Sequence, residues 1–123
     1  MKIPLLSPLL RYQLQTIEVA ANDGARLPVS VIGHGKPVLM LHAYGMDARE
    51  FLPFILPLTG KYQFYLPHFR GFGEAKDIAL TQFDFVHQYA DDIDKVIEQV
   101  CLVNRIESLP VATLYDLLDK LAQ

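Results

Sequence analysis

Two stretches near the amino terminus alternate between apolar and polar positions. From Gln13 to Ala20, Leu14, Thr16 and Glu18 oppose Gln15, Ile17 and Val19, and the alternation resumes from Arg26 to Ile32. A period of two marks half-buried strands. The intervening Asn22-Asp23-Gly24 is a turn sequence, so the pair predicts a β-hairpin. Beyond a second turn, Gly33 to Pro37, the run Val38-Leu39-Met40-Leu41 is apolar without alternation, as expected of a strand covered on both faces. Tyr62 to Leu66, closed by Pro67, reads the same way. Between these strands a helix is expected from Asp47, because Asp47 and Glu50 form an Asp-x-x-Glu capping pair. Pro53 and Pro57 make it short or kinked.

The longest periodic segment runs from Asp84 to Val103. Phe85, Tyr89, Ile93, Val96, Ile97 and Val100 recur at helical spacing on one face. Asp91, Asp94, Lys95 and Glu98 fall outside it, and Asp84 suits the N-cap. After Pro110, Leu114, Leu117, Leu118 and Leu121 predict a C-terminal amphipathic helix. Leu109 to Leu114 could also be the remnant of a fifth strand, but the leucine period favours helix. The order hairpin, buried strand, helix, buried strand, long helix implies an α/β fold. Its mixed sheet would start with the hairpin and continue with parallel strands, in one domain spanning 1–123.

Composition narrows the function classes. Hydrophobic residues make up 51% and charged residues 20%, which excludes a disordered chain. Eleven basic against 14 acidic side chains leave a net charge of −3 and no basic footprint for nucleic acid. The single cysteine, Cys101, excludes an intramolecular disulfide and a cysteine-built zinc site. It reads as a small core residue in a reducing compartment, so a cytoplasmic location is expected. No run approaches the ~18 apolar residues of a membrane span. Met1 to Leu10 resembles a short signal core, but two prolines interrupt it and no small-residue cleavage site follows. It reads instead as an apolar arm that packs on the body or on a partner.

Candidate chemistry is sparse. His34, His42, His68 and His87 form no ligand spacing, so no metal is expected. Gly71-Phe72-Gly73 lacks the third glycine and the lysine of a phosphate-cradling loop, and no cofactor is expected. Asp91, Asp92 and Asp94 read as a solvated helix face. The aromatics Phe64, Tyr65, Phe69, Phe72, Phe83, Phe85 and Tyr89 read as ordinary core rather than a binding wall.

In an open α/β sheet the ligand site lies at the carboxyl ends of the strands. Two loops fall there, His42-Ala43-Tyr44-Gly45 and His68-Phe69-Arg70-Gly71-Phe72-Gly73. Together they resemble the front half of the α/β-hydrolase family over roughly residues 13 to 103. Gly35 to His42 is similar to that family's Gly-x-Pro-apolar-His-Gly segment, and His68 to Gly73 to its Asp-x-Arg-Gly-x-Gly-x-Ser loop. By that resemblance the Tyr44 N–H would stabilise an oxyanion, worth about 3 kcal/mol in the transition state. His42 would shape the loop and Arg70 would brace its neighbour. Ala43 stands for the usual glycine, His68 for the usual aspartate and Ala75 for the usual serine, and the last two changes are expected to weaken the polar network there.

The family's nucleophile stands on a Gly-x-Ser-x-Gly elbow, followed by an acid and then a histidine. No glycine follows Gly73, no histidine follows His87, and the serine downstream of the long helix, Ser108, lies between Ile106 and Pro110. The main expectation is a hydrolase-like front half without catalytic activity as a lone chain. It would be completed by a homodimer or a partner chain, since a sheet edge left open invites pairing. The N-terminal arm and the leucine helix are the interface candidates. Two alternatives stay open. One is an active ester hydrolase using Ser108 or partner-supplied residues, with His42 or His68 as base. The other is a non-enzymatic binding module.

Overall fold

The hairpin forms where the alternation places it, as β1 (Gln15–Ala20) and β2 (Arg26–Gly33), paired antiparallel from Gln15 opposite Val31 to Ala20 opposite Arg26. However, β2 is buried from Leu27 to Gly33 and not half-buried as its alternation implied, because it lies inside the sheet between β1 and the strand Tyr62–Pro67. The turn closes through Ala21 N–H to the Ala25 carbonyl at 2.8 Å, with Gly24 at φ +88°. At the next turn Gly33 has φ +98°, and a Cβ there would run into the Tyr62 carbonyl oxygen. Glycine is required at that point by both dihedral and space. The computed structural model describes residues 14–42 and 47–112, together with Asp116 and Asp119.

The two apolar runs become β3 (Lys36–Met40) and β4 (Tyr62–Pro67). Strand order is β1-β2-β4-β3-β5, antiparallel from β1 to β4 and parallel from β4 to β5. The last strand, β5, is only Val111–Ala112, set against Leu39 and Met40. A strand remnant therefore does form within 109–114, where the leucine period favoured helix. Asp116 and Asp119 beyond it are helical. The rest of the expected leucine helix, like the Met1 to Leu10 arm, lies outside the described residues.

Alternation within β2, β3 and β4 sorts their side chains into two cores. Val29, Val31, Leu39 and Tyr65 join Val96 and Val100 on one face, and Cys101 packs at its margin. Ile32, Val38, Met40, Phe64 and Leu66 join Phe51, Ile55 and Leu58 on the other. Both faces of the central strands are thus covered, which is why their sequences run apolar without a break.

The second cover is a broken helix: a 3₁₀ turn at Ala48–Phe51, α1 (Leu52–Ile55), and a 3₁₀ turn at Leu56–Leu58. Pro53 and Pro57 sit at the starts of the second and third pieces, where a missing N–H costs nothing. Asp47 caps the first turn by accepting from the Arg49 N–H at 2.8 Å.

The first cover is α2 (Phe85–Asn104), about 30 Å long at 1.5 Å per residue. Asp84 caps it, accepting from the His87 N–H at 3.1 Å. It ends on Arg105 in the left-handed conformation, φ +57°. Two expectations about its faces need correction. Phe85 is 46% exposed, whereas Gln88 and Asp92 are buried. The first turns of α2 overhang the loop after β4, and that face meets polar groups there instead of the sheet. Among the described residues no helix is long and apolar enough to cross a membrane.

Candidate functional site at the carboxyl ends of β3 and β4

Leu39 pairs with Tyr65 across β3 and β4, so His42 and His68 stand level, each three residues further on. Both side chains are buried. His42 Nε2 accepts from the Phe69 N–H at 3.0 Å. A backbone N–H can only donate, so the His42 hydrogen sits on Nδ1 and Nε2 is committed to the chain. The ring meets Phe69 edge-on at 4.8 Å between centroids, and Phe69 meets Tyr89 at 5.0 Å. His42 therefore ties the loop after β3 to the loop after β4.

His68 lies deeper. Its Nε2 is 2.8 Å from Ser30 Oγ on β2, and its Nδ1 faces the Glu74 N–H at 3.4 Å. Burial pushes the imidazole below its ordinary value, more strongly than Glu74 and Asp47 pull it up. Both ring nitrogens thus have a partner, the Nδ1 contact being the longer. Ser30 has no counterpart in the motif reading. Its only signal was a hydroxyl at a polar position of the alternating stretch Arg26 to Ile32, where one is expected anyway.

Arg70 is buried and every guanidinium N–H is used. Nε and Nη2 reach the Asp92 carboxylate at 2.7 and 2.9 Å, and Nη1 and Nη2 reach Asp23 at 2.6 and 2.9 Å. The fifth donor goes from Nη1 to the Ala79 carbonyl at 3.2 Å. Beside that guanidinium, and with the Thr81 hydroxyl at 2.8 Å, the Asp23 carboxyl is held well below the usual carboxylate range. The same two carboxylates raise Arg70 further. Tyr89 donates its hydroxyl to the Arg70 carbonyl at 2.9 Å. Asp92 thus leaves the solvated acidic face expected for it, because it pairs with the buried Arg70 guanidinium from the loop after β4. Arg70 joins the β1–β2 turn, the loop after β4 and α2, with no donor left for a ligand.

At the outer side of the same end, Asp47 forms a bidentate pair with exposed Arg49, which lowers its carboxyl to about 2. Ala43, Tyr44 and Gly45 lie outside the described residues. His34 and His87 are exposed at the turn and helix surface. The aromatics divide: Phe64 and Tyr65 are core, while Phe83 is fully exposed.

Ser108 is exposed in the loop between α2 and β5. Val111 lies opposite Leu39, so Ser108 stands near the amino end of the parallel strands. His42 and His68 stand beyond the opposite end. The histidine level lies three strand positions beyond that of Val111, about 10 Å, and Ser108 lies on the other side of Val111 in the chain. No side-chain rotation brings Ser108 to either imidazole. A cavity of about 480 Å³ also opens at the amino end, lined in part by Lys36, Tyr62, Val111 and Asp119.

No protein-family model matches the sequence, and no curated protein matches it either. Solved structures do. The chain is similar to an epoxide hydrolase from Vigna radiata, with 21% identity and a TM-score of 0.67 over 83% of this chain and 32% of that one. It is similar to an esterase from Exiguobacterium antarcticum, with 28% identity and a TM-score of 0.65 over 79% of this chain and 34% of that one. A putative acyltransferase from Salmonella enterica gives 20% identity and a TM-score of 0.57 over 72% and 30%. These share the α/β-hydrolase fold, and the mixed five-stranded sheet described above is that fold's arrangement. The chain spans about a third of the length of each of these structures.

Proposed function

We propose that this α/β-hydrolase-fold chain supplies the oxyanion-side scaffold of a hydrolase-like assembly and turns over no ester by itself. The separation of Ser108 from both imidazoles along the parallel strands carries this reading. At the carboxyl end His42, His68 and Arg70 have their polar atoms committed to backbone, to Ser30 and to two carboxylates. They hold loops in place. The nucleophile and base of a working site come on this reading from another chain, joined along β5, beyond which no strand lies among the described residues, either a second copy or a partner of the same fold. The support for a cytoplasmic location is the single cysteine, Cys101, a free thiol at the margin of the core.

The test is intact-mass analysis after a fluorophosphonate probe, which marks an activated serine whatever its substrate. The expected result is no adduct on the isolated chain. A single adduct mapping to Ser108, abolished in Ser108→Ala, would overturn the proposal in favour of a self-sufficient ester hydrolase.

A further inference from the structure

His68 is the first residue beyond β4, and its side chain has no solvent contact. The hydrogen-bond pattern fixes its tautomer. Nδ1 faces a backbone N–H, which donates and cannot accept, so Nδ1 is bare. The ring hydrogen is therefore on Nε2 and is donated to Ser30 Oγ. Gly73 lies against the same nitrogen: with φ +54°, a Cβ there would collide with His68 Nδ1. The segment 71–76 thus rests on a ring whose facing nitrogen must carry no hydrogen.

A second proton has one place to go, Nδ1, where it would point at the Glu74 N–H. Donor would face donor in a site closed to water. The charged groups around the ring come from three elements. Glu74 Oε2 lies 3.8 Å from Nε2 and accepts from the Thr16 hydroxyl. The Asp47 carboxylate also favours a charged ring, while Arg49 and His42 oppose one. Asp47 comes near Nδ1, its Cγ lying 3.2 Å from where a Gly73 Cβ would stand, but its oxygens are bonded to Arg49.

We propose that His68 is a proton-operated latch on the segment 71–76, closed when the ring is neutral and opened by acid. On opening, the Glu74 N–H leaves Nδ1 and the ring's new hydrogen turns to a carboxylate or to water. The device stands whether or not the chain belongs to a hydrolytic assembly, because it uses no atom of a substrate.

Amide hydrogen exchange tests it on the full chain. The Ala75 and Lys76 N–H groups bond to the Phe72 and Gly73 carbonyls at 2.9 and 3.2 Å and report opening. After correction for intrinsic exchange, their protection should fall by up to about thirtyfold between pH 7.5 and pH 5. That is the factor by which an open-state histidine of ordinary value 6.5 outruns one kept neutral. In His68→Gln, which keeps a donor toward Ser30 and does not titrate, protection should stay level. An equal fall in His68→Gln, or no fall in the wild type, overturns the latch. Should the variant fail to fold, ring ¹⁵N shifts of the wild type decide. A hydrogen on Nε2 at pH 7.5, with ring protonation and loop opening sharing one midpoint, supports the latch. A hydrogen on Nδ1, or separate midpoints, overturns it.

Discussion

Arg70 illustrates how much one side chain can hold together. Five donors meet five acceptors from the β1–β2 turn, the loop after β4 and α2. Replacing one member of such a buried pair leaves its partner charged and unsolvated. Arg70→Met is expected to cost about 3–5 kcal/mol, read from urea unfolding midpoints. Adding Asp92→Asn to that variant should recover part of the loss, since it removes the stranded charge, whereas additive losses would show that the pair is not coupled. Arg70 was visible in the sequence through the loop motif around it. Asp92 was not, because a carboxylate on a long amphipathic helix usually faces water and nothing local distinguishes it from Asp91 or Asp94. Ser30 was hidden for the opposite reason: a small hydroxyl in a strand does not disturb its pattern.

Elements were read more successfully than their faces. The hairpin, β3, β4 and α2 sit within a few residues of where periodicity and turn chemistry put them, since each has a local signature. Phe85 was misplaced because period alone cannot say where the sheet beneath a helix ends. Gln88 shows the same limit: its amide serves Thr81, with Oε1 taking the Thr81 N–H at 2.9 Å. The end of α2 offers a clean test. Arg105 adopts the left-handed conformation that glycine occupies without strain. Arg105→Gly should raise stability by about 0.5 kcal/mol, the relief of backbone strain being partly offset by the lost cation at the helix terminus. Thermal melting reads this directly, and a lowered midpoint would mean that the side chain's interactions outweigh the backbone term.

For the whole molecule, sequence reading reached the α/β-hydrolase fold because two loop motifs stood at the right separation. It could not place Ser108, since three-dimensional level along a strand is a property of pairing and not of order. Among the described residues no strand pairs beyond β5, and that edge carries the remaining prediction. Light scattering after gel filtration should give at least twice the chain's mass, and a variant with Val111→Lys, charged at the edge, should give less. A monomer at every concentration would count against completion by a second copy and leave a different chain as the partner. The strand order has a consequence in time as well. β4 lies between β2 and β3, yet it is made after both. As the chain leaves the ribosome, β3 waits about twenty residues for its neighbour, with Val38 to Met40 unpaired. A newly made chain therefore passes through an interval in which the apolar end of β3 has nowhere native to go, and that interval is where aggregation or a chaperone would claim it.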